Sequence, residues 1–252
     1  MLQEINFNDM NRICVLVIGK YGIGKTSLLY NIMGYEYNDD ENIPYINRWR
    51  ETANPSKDKA IVLSAESGLL SVRKMGLAGK IKGYMINTLE DFIDAYRMLN
   101  SSEEIKQEYN WVFIDSLTEI AYVIEKYMEE KYNDPSKTFK MWNAYYKKLI
   151  EAIKKFRDMD HYNVVFTCLS SIDKDEQNRR YVGPMMGGQK VKEVLPALFD
   201  EVFYMMSDDK GKRVLITQPY DRMPAKDRSG MLSPVEPPYL LEIKNKILVE
   251  EY

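Results

Sequence analysis

Eight consecutive residues, Gly19, Lys20, Tyr21, Gly22, Ile23, Gly24, Lys25 and Thr26, satisfy the spacing G-x-x-x-x-G-K-[ST] in full. The chemistry is anion binding. Glycines let the backbone wrap closely enough for its N–H groups to converge on phosphate oxygens, the lysine adds a charge for the β- and γ-phosphates, and the threonine hydroxyl suits Mg²⁺. An apolar, β-branched run at residues 13–18 precedes the loop, and residues 26–33 carry apolar side chains at helical spacing. A strand before and a helix after form the context this motif requires, the helix start adding its partial positive charge. Gly19, Tyr21, Gly22, Ile23, Gly24, Lys25, Thr26 and Ser27 are therefore read as the nucleotide-binding set, with ATP and Mg²⁺ as the ligands.

Two carboxylates stand where such a loop needs them. Val112, Phe113 and Ile114 form a buried-strand pattern that ends in Asp115. A carboxylate at that position reaches the Mg²⁺ shell, so Thr26 and Asp115 form the expected metal pair. Ser116 rather than a second acid follows, which places the catalytic base elsewhere. Glu66 follows the apolar run 60–64, and in a parallel sheet every strand of this kind ends on the ligand side. Glu66 is expected to orient and deprotonate the attacking water, with Lys25 assisting catalysis. In the strand at residues 163–169, Thr167 or Ser170 would either sense the γ-phosphate or serve as a cap.

Two further stretches carry charge. The polar, glycine-containing loop at 170–189 and its flank hold Lys174, Arg179, Arg180 and Lys190 with Tyr181, a composition suited to a single-stranded nucleic-acid backbone. Asp173, Asp175 and Glu176 lie in the same loop, and a solvated surface loop has the same composition. Lys226 and Arg228 lie beyond the last strand pair, as catalytic fingers to a neighbouring subunit's nucleotide or as a solvated charged turn.

The elements that must position these groups read as alternating strands and helices. Strands are expected at 60–64, 81–86, 111–114 and 163–169, and helices at 88–99 (opened by a capping box at Thr88), 117–131 and 138–157. On the last helix, Trp142, Tyr145, Tyr146, Leu149, Ile153 and Phe156 form an apolar stripe that fits core packing. Residues 201–206 and 213–217 form a terminal antiparallel pair. The expectation is an α/β, three-layer P-loop fold with a mostly parallel central sheet, as one domain over residues 1–252. Residues 35–59 would be an insertion or long loop and 218–252 a C-terminal tail.

Composition narrows the classes. The net charge of −3 excludes a polycation, so nucleic-acid contact would need a local basic patch. A single histidine, His161, removes histidine-dependent catalysis and histidine-rich metal sites from consideration. Cys14 and Cys168 sit in apolar runs as buried filler. No signal-peptide pattern and no apolar run near the length of a membrane span is visible, which points to a cytoplasmic protein without membrane contact.

The chain resembles the phage-encoded RecA-like AAA-type ATPases of the single-strand annealing and recombination family. The resemblance rests on residues 19–26, 63–68, 112–117, Trp142 and Tyr145, 164–171, 199–202 and 225–228. It implies a RecA-like core that binds ATP between subunits of a ring or filament, with Glu66 activating water and Asp115 holding Mg²⁺. It also implies Lys226 and Arg228 reaching a neighbour's nucleotide, and Lys174, Arg179, Arg180 and Lys190 facing single-stranded DNA, with a single-strand-binding protein as a further partner in the host cell. Two rival readings are an ATP-driven switch or assembly factor acting on a protein, and a small-molecule kinase.

Overall fold

A computed structural model describes residues 11–38, 48–53, 56–66, 68–174 and 177–248. The first strand, β1 (Cys14–Gly19), is buried along its whole length, and the phosphate-type loop leads from it into α1 (Leu28–Ile32). A two-stranded antiparallel hairpin, β2 (Tyr35–Tyr37) and β3 (Trp49–Glu51), follows. Next come β4 (Ala60–Ser64), α2 (Arg73–Leu77), β5 (Ile81–Met85), α3 (Leu89–Ser101), α4 (Glu103–Glu108) and β6 (Trp111–Asp115). Two long helices, α5 (Leu117–Lys131) and α6 (Thr138–Arg157), lead to β7 (Asn163–Lys174), β8 (Arg180–Pro184) and α7 (Gln189–Val194). The chain closes with β9 (Glu201–Ser207), β10 (Arg213–Ile216), β11 (Lys226–Asp227), β12 (Val235–Glu236) and α8 (Leu240–Leu248).

The main sheet runs β12-β10-β9-β1-β7-β6-β4-β5, with β8 added to β7 and β11 to β9. Its centre, from β9 through β1, β7, β6 and β4 to β5, is parallel, and β9–β10 is the antiparallel pair expected near the end. The two-residue strand period splits the buried runs between two faces. From β1, Cys14, Leu16 and Ile18 pack with α3, α5 and α6, while Val15 and Val17 pack with α1, α8 and the β2–β3 hairpin. This gives the three layers: helices, a mostly parallel sheet, and a second layer of helix and hairpin.

Several expectations hold in detail. Thr88 accepts from the Asp91 amide while the Asp91 carboxylate accepts from the Thr88 amide, which closes the capping box of α3. On α6, Tyr145, Leu149, Ile153 and Phe156 are buried, and Trp142 and Tyr146 pack at the edge of the same cluster. Both cysteines are free and buried, and burial pushes the Cys168 thiol up to about 11.

Three segments carry more structure than the sequence reading gave them. Residues 35–59, read as an insertion or long loop, contain the β2–β3 hairpin, held down by Trp49 stacked on Tyr30 with ring centroids 4.6 Å apart. Its three-residue strands are too short for an alternating pattern to register; residues 39–47, 54 and 55 lie outside the described residues. The polar loop at 170–189 is largely a β-hairpin, since β7 continues to Lys174 and pairs antiparallel with β8. Beyond Leu169 that strand leaves the core, and of residues 170–174 only Ile172 is apolar, too little for a strand signature; Asp175 and Glu176 lie outside the described residues. The tail holds β11, β12 and α8; its end, residues 239–252, reads in the sequence as a small strand or helix, and residues 240–248 are the helix, with Leu240 and Ile243 buried; residues 249–252 are outside the described set. Among the described residues, no helix is long and apolar enough to cross a membrane.

Candidate phosphate-binding and catalytic site

Because the central strands are parallel, their carboxyl ends share one edge. Gly19 at the end of β1, Glu66 after β4, Asp115 at the end of β6 and the β7–β8 hairpin after Leu169 all lie there.

The loop after β1 is closely packed. A Cβ at Gly19 would meet the Met205 carbonyl oxygen at 2.8 Å. Gly24 has φ +103°, and a side chain there would collide with the guanidinium of Arg213. Both positions need glycine, one for close approach and one for a left-handed backbone. Lys25 folds back over the loop, its Nζ donating to the Gly19 carbonyl at 3.0 Å and to the Lys20 carbonyl at 2.9 Å. The side chain is buried, which lowers its pKa, while the nearby charges of Asp115 and Glu66 oppose that shift. Tyr21 is 88% exposed, so only its backbone is placed to line the loop.

Asp115 is the hub. Thr26 Oγ1 donates to its Oδ2 at 2.8 Å, and Thr167 Oγ1 donates to its Oδ1 at 2.5 Å. Burial raises its pKa above the usual carboxylate range, and Glu66 adds to this. The Thr167 and Thr26 hydroxyls and the Lys25 charge pull the other way. A hydroxyl and a carboxylate in contact at a phosphate loop are donors that suit Mg²⁺, which takes one or two protein oxygens and fills its shell with phosphate and water. Among the described residues no group of three or more histidine, cysteine or acidic side chains could form a separate metal cage. Thr167, one of the two sensor candidates, is fully buried and holds Asp115, and Ser170 lies within β7 opposite Pro184, so neither caps a helix.

Glu66 stands beside this hub. Ser116 Oγ donates to Glu66 Oε1 at 2.5 Å, and the Ala65 amide donates to the Asp115 carbonyl at 2.9 Å, so the ends of β4 and β6 are tied together. The peptide between Asp115 and Ser116 is cis. Sequence reasoning missed the partnership of Ser116 and Glu66, which are 50 residues apart, and that of Thr167 with Asp115, 52 apart. No local spacing encodes either.

The basic residues separate into groups. Lys174 and Arg180 are register partners near the hairpin tip, with Arg179 beside them, all three exposed on the phosphate-loop edge. Lys190 lies away from that tip, its Nζ 4.6 Å from the Tyr146 ring centre. Lys192 Nζ bonds both oxygens of Asp173 at 2.9 Å, so one acid of the hairpin is already neutralised. Lys226 and Arg228 are not brought to this edge. β11 pairs with the first residues of β9, at the opposite end of the sheet. There Lys226 Nζ donates to the carbonyls of Pro196 and Phe199, and Arg228 pairs with Asp200 at 2.7 Å.

Comparison with known proteins adds three findings. No curated protein matches the chain. The structure aligns with the crystal structure of the RadB recombinase over 84% of this chain and 83% of that one, with a TM-score of 0.47 and 14% sequence identity. The sequence profile described as AAA domain matches residues 11–229. That span takes in the ends of β1, β4, β6 and β7, and the chain belongs to the AAA domain family.

Proposed function

We propose that this protein is a Mg²⁺-dependent ATPase that binds single-stranded DNA and promotes annealing or recombination, in a phage DNA-metabolism setting. The observation that carries the ATPase reading is the convergence of Lys25, Thr26, Asp115 and Glu66 on one sheet edge, with Asp115 bonded to Thr26 and Glu66 bonded to Ser116. In this reading the loop of residues 19–27 holds the phosphates. Thr26 and Asp115 would hold Mg²⁺, which when bound would supply positive charge to the phosphates. Lys25 supports the same charge, and Glu66 takes the proton of the attacking water.

Ser116 acts as a positioning residue for Glu66. Ser116→Ala removes a hydrogen bond to a carboxylate, so hydrolysis should fall about tenfold with ATP affinity unchanged. Steady-state hydrolysis beside equilibrium ATP binding, measured on both proteins, checks this.

Support for DNA comes from the exposed Lys174, Arg179 and Arg180 at the hairpin tip, on the same edge as the phosphate loop, so nucleotide state and strand contact would be coupled at short range. Lys226 and Arg228 would serve a neighbour's nucleotide. From the opposite end of the sheet they reach a phosphate loop only when copies pack head to tail, a packing that builds rings or filaments. Lys226 would then have to leave its two carbonyl partners. A second reading, an ATP-driven switch for a protein partner, draws on Ile172, 71% exposed on the same hairpin.

ATP hydrolysis measured with and without single-stranded DNA, at low and moderate salt, tests the choice. DNA stimulation that weakens with salt and disappears in Arg179→Ala/Arg180→Ala supports the DNA reading. Hydrolysis indifferent to DNA removes it and leaves the protein-partner reading.

A further inference from the structure

Next to the phosphate loop lies a cavity of about 420 Å³ that the site described so far does not use. Gly24, Ser27 and Leu28 form one wall of it. The β2–β3 hairpin contributes Tyr37 and Trp49, the start of β10 contributes Arg213, and Tyr239 lines it from just before α8. We propose that this cavity receives the base and ribose of the nucleotide, with the Tyr37 ring as the stacking surface, and that nucleotide selection is the role of the β2–β3 hairpin. The proposal rests on the reading of residues 19–27 as a nucleotide loop.

Four observations carry it. The cavity is continuous with the loop through Gly24 and Ser27, so a nucleotide with its phosphates in the loop can extend its remaining atoms there. Its volume lies in the usual range of small-molecule sites, roughly 300–1,000 Å³. A flat cation already covers the aromatic wall: the Arg213 guanidinium sits 4.7 Å from the Tyr37 ring centre, and the same side chain abuts Gly24. A base stacks on an aromatic face much as a guanidinium does, and an arginine displaced from the ring stays within reach of the α-phosphate. Finally, Trp49 lines the cavity, is 4% exposed, and its indole N–H has no hydrogen-bond acceptor among the described residues. A buried donor without an acceptor is costly, and a ribose or base oxygen would satisfy it.

The test compares ATP with inorganic tripolyphosphate, which has no base or ribose, in calorimetric titrations with Mg²⁺. Wild-type protein should bind ATP more tightly than tripolyphosphate. Tyr37→Leu, which keeps apolar contact with Trp49, should weaken ATP about tenfold or more and leave tripolyphosphate unchanged. Equal loss of both ligands, or loss of neither, overturns the proposal. Wild-type binding of tripolyphosphate with no gain for ATP also overturns it but spares the loop assignment, whereas binding of neither ligand removes both. Photolabelling of the wild-type chain with ATP carrying an azide on its base gives a readout independent of variant folding. Adducts should fall in the peptides holding Tyr37, Trp49 or Tyr239, and adducts confined to other peptides overturn the assignment.

Discussion

Glu66→Gln should bind ATP as the wild type does and hydrolyse it about 10²–10⁴-fold more slowly, the usual range for losing a general base. The substitution preserves shape and one acceptor for the Ser116 hydroxyl, so the 2.5 Å link between β4 and β6 has a replacement partner. It also removes a negative charge from the neighbourhood of Asp115, where Glu66 is one of the groups raising the carboxyl's pKa. Asp115 should therefore ionise more readily in the variant, and metal-dependent ATP binding should hold or improve. Single-turnover hydrolysis beside equilibrium binding separates the two effects. A hydrolysis rate within a few-fold of wild type would remove Glu66 from water activation and direct attention to other groups on the same edge.

Lys25→Ala should abolish measurable nucleotide binding and with it hydrolysis, yet leave the unliganded protein as stable as the wild type or slightly more so. The ammonium is buried, and its lowered pKa, caused chiefly by desolvation, shows that the charge is unfavourably placed when no phosphate is present. Its contacts to the carbonyls of Gly19 and Lys20 partly offset that cost, and alanine loses both the cost and the contacts. The stabilisation comes only when phosphate oxygens arrive. Thermal melts with and without Mg²⁺-ATP make the contrast. Wild-type protein at a ligand concentration of 100 times Kd should gain about 2.7 kcal/mol, and the variant should gain nothing. A large loss of stability in the unliganded variant would instead make Lys25 a structural residue of the loop.

The shared edge of the candidate phosphate, metal and base groups was legible because local chain order encodes it. Residues 19–26 form one contiguous loop between a buried strand and a helix, and Asp115 closes an unbroken apolar run, so each assignment needs only neighbours in sequence. Glu66 required one further step: parallel strands end on a common edge, so a glutamate just past β4 falls beside an aspartate ending β6. The alternating burial of β1, the capping box at Thr88 and the stripe on α6 were equally open to reading, since periodicity and capping are short-range properties.

What only the tertiary structure decided depends on contacts across long separations. Ser116 and Thr167 hold Glu66 and Asp115 through hydroxyls that look like ordinary serine and threonine in the chain. The β7–β8 hairpin leaves the core after Leu169, so no burial pattern marks it, and its basic tip could be placed on the phosphate-loop edge only once the direction of β7 was known. Lys226 and Arg228 carry the same charge wherever they lie, and the pairing of β11 with the start of β9 sets them at the far end of the sheet. The cavity beside the loop joins Tyr37, Arg213 and Tyr239, three distant positions that meet because the hairpin, the start of β10 and the residue before α8 converge beside α1. Local order thus marked the candidate groups and the strands that carry them, while the packing of separate elements fixed their partners and the shape of the space around them.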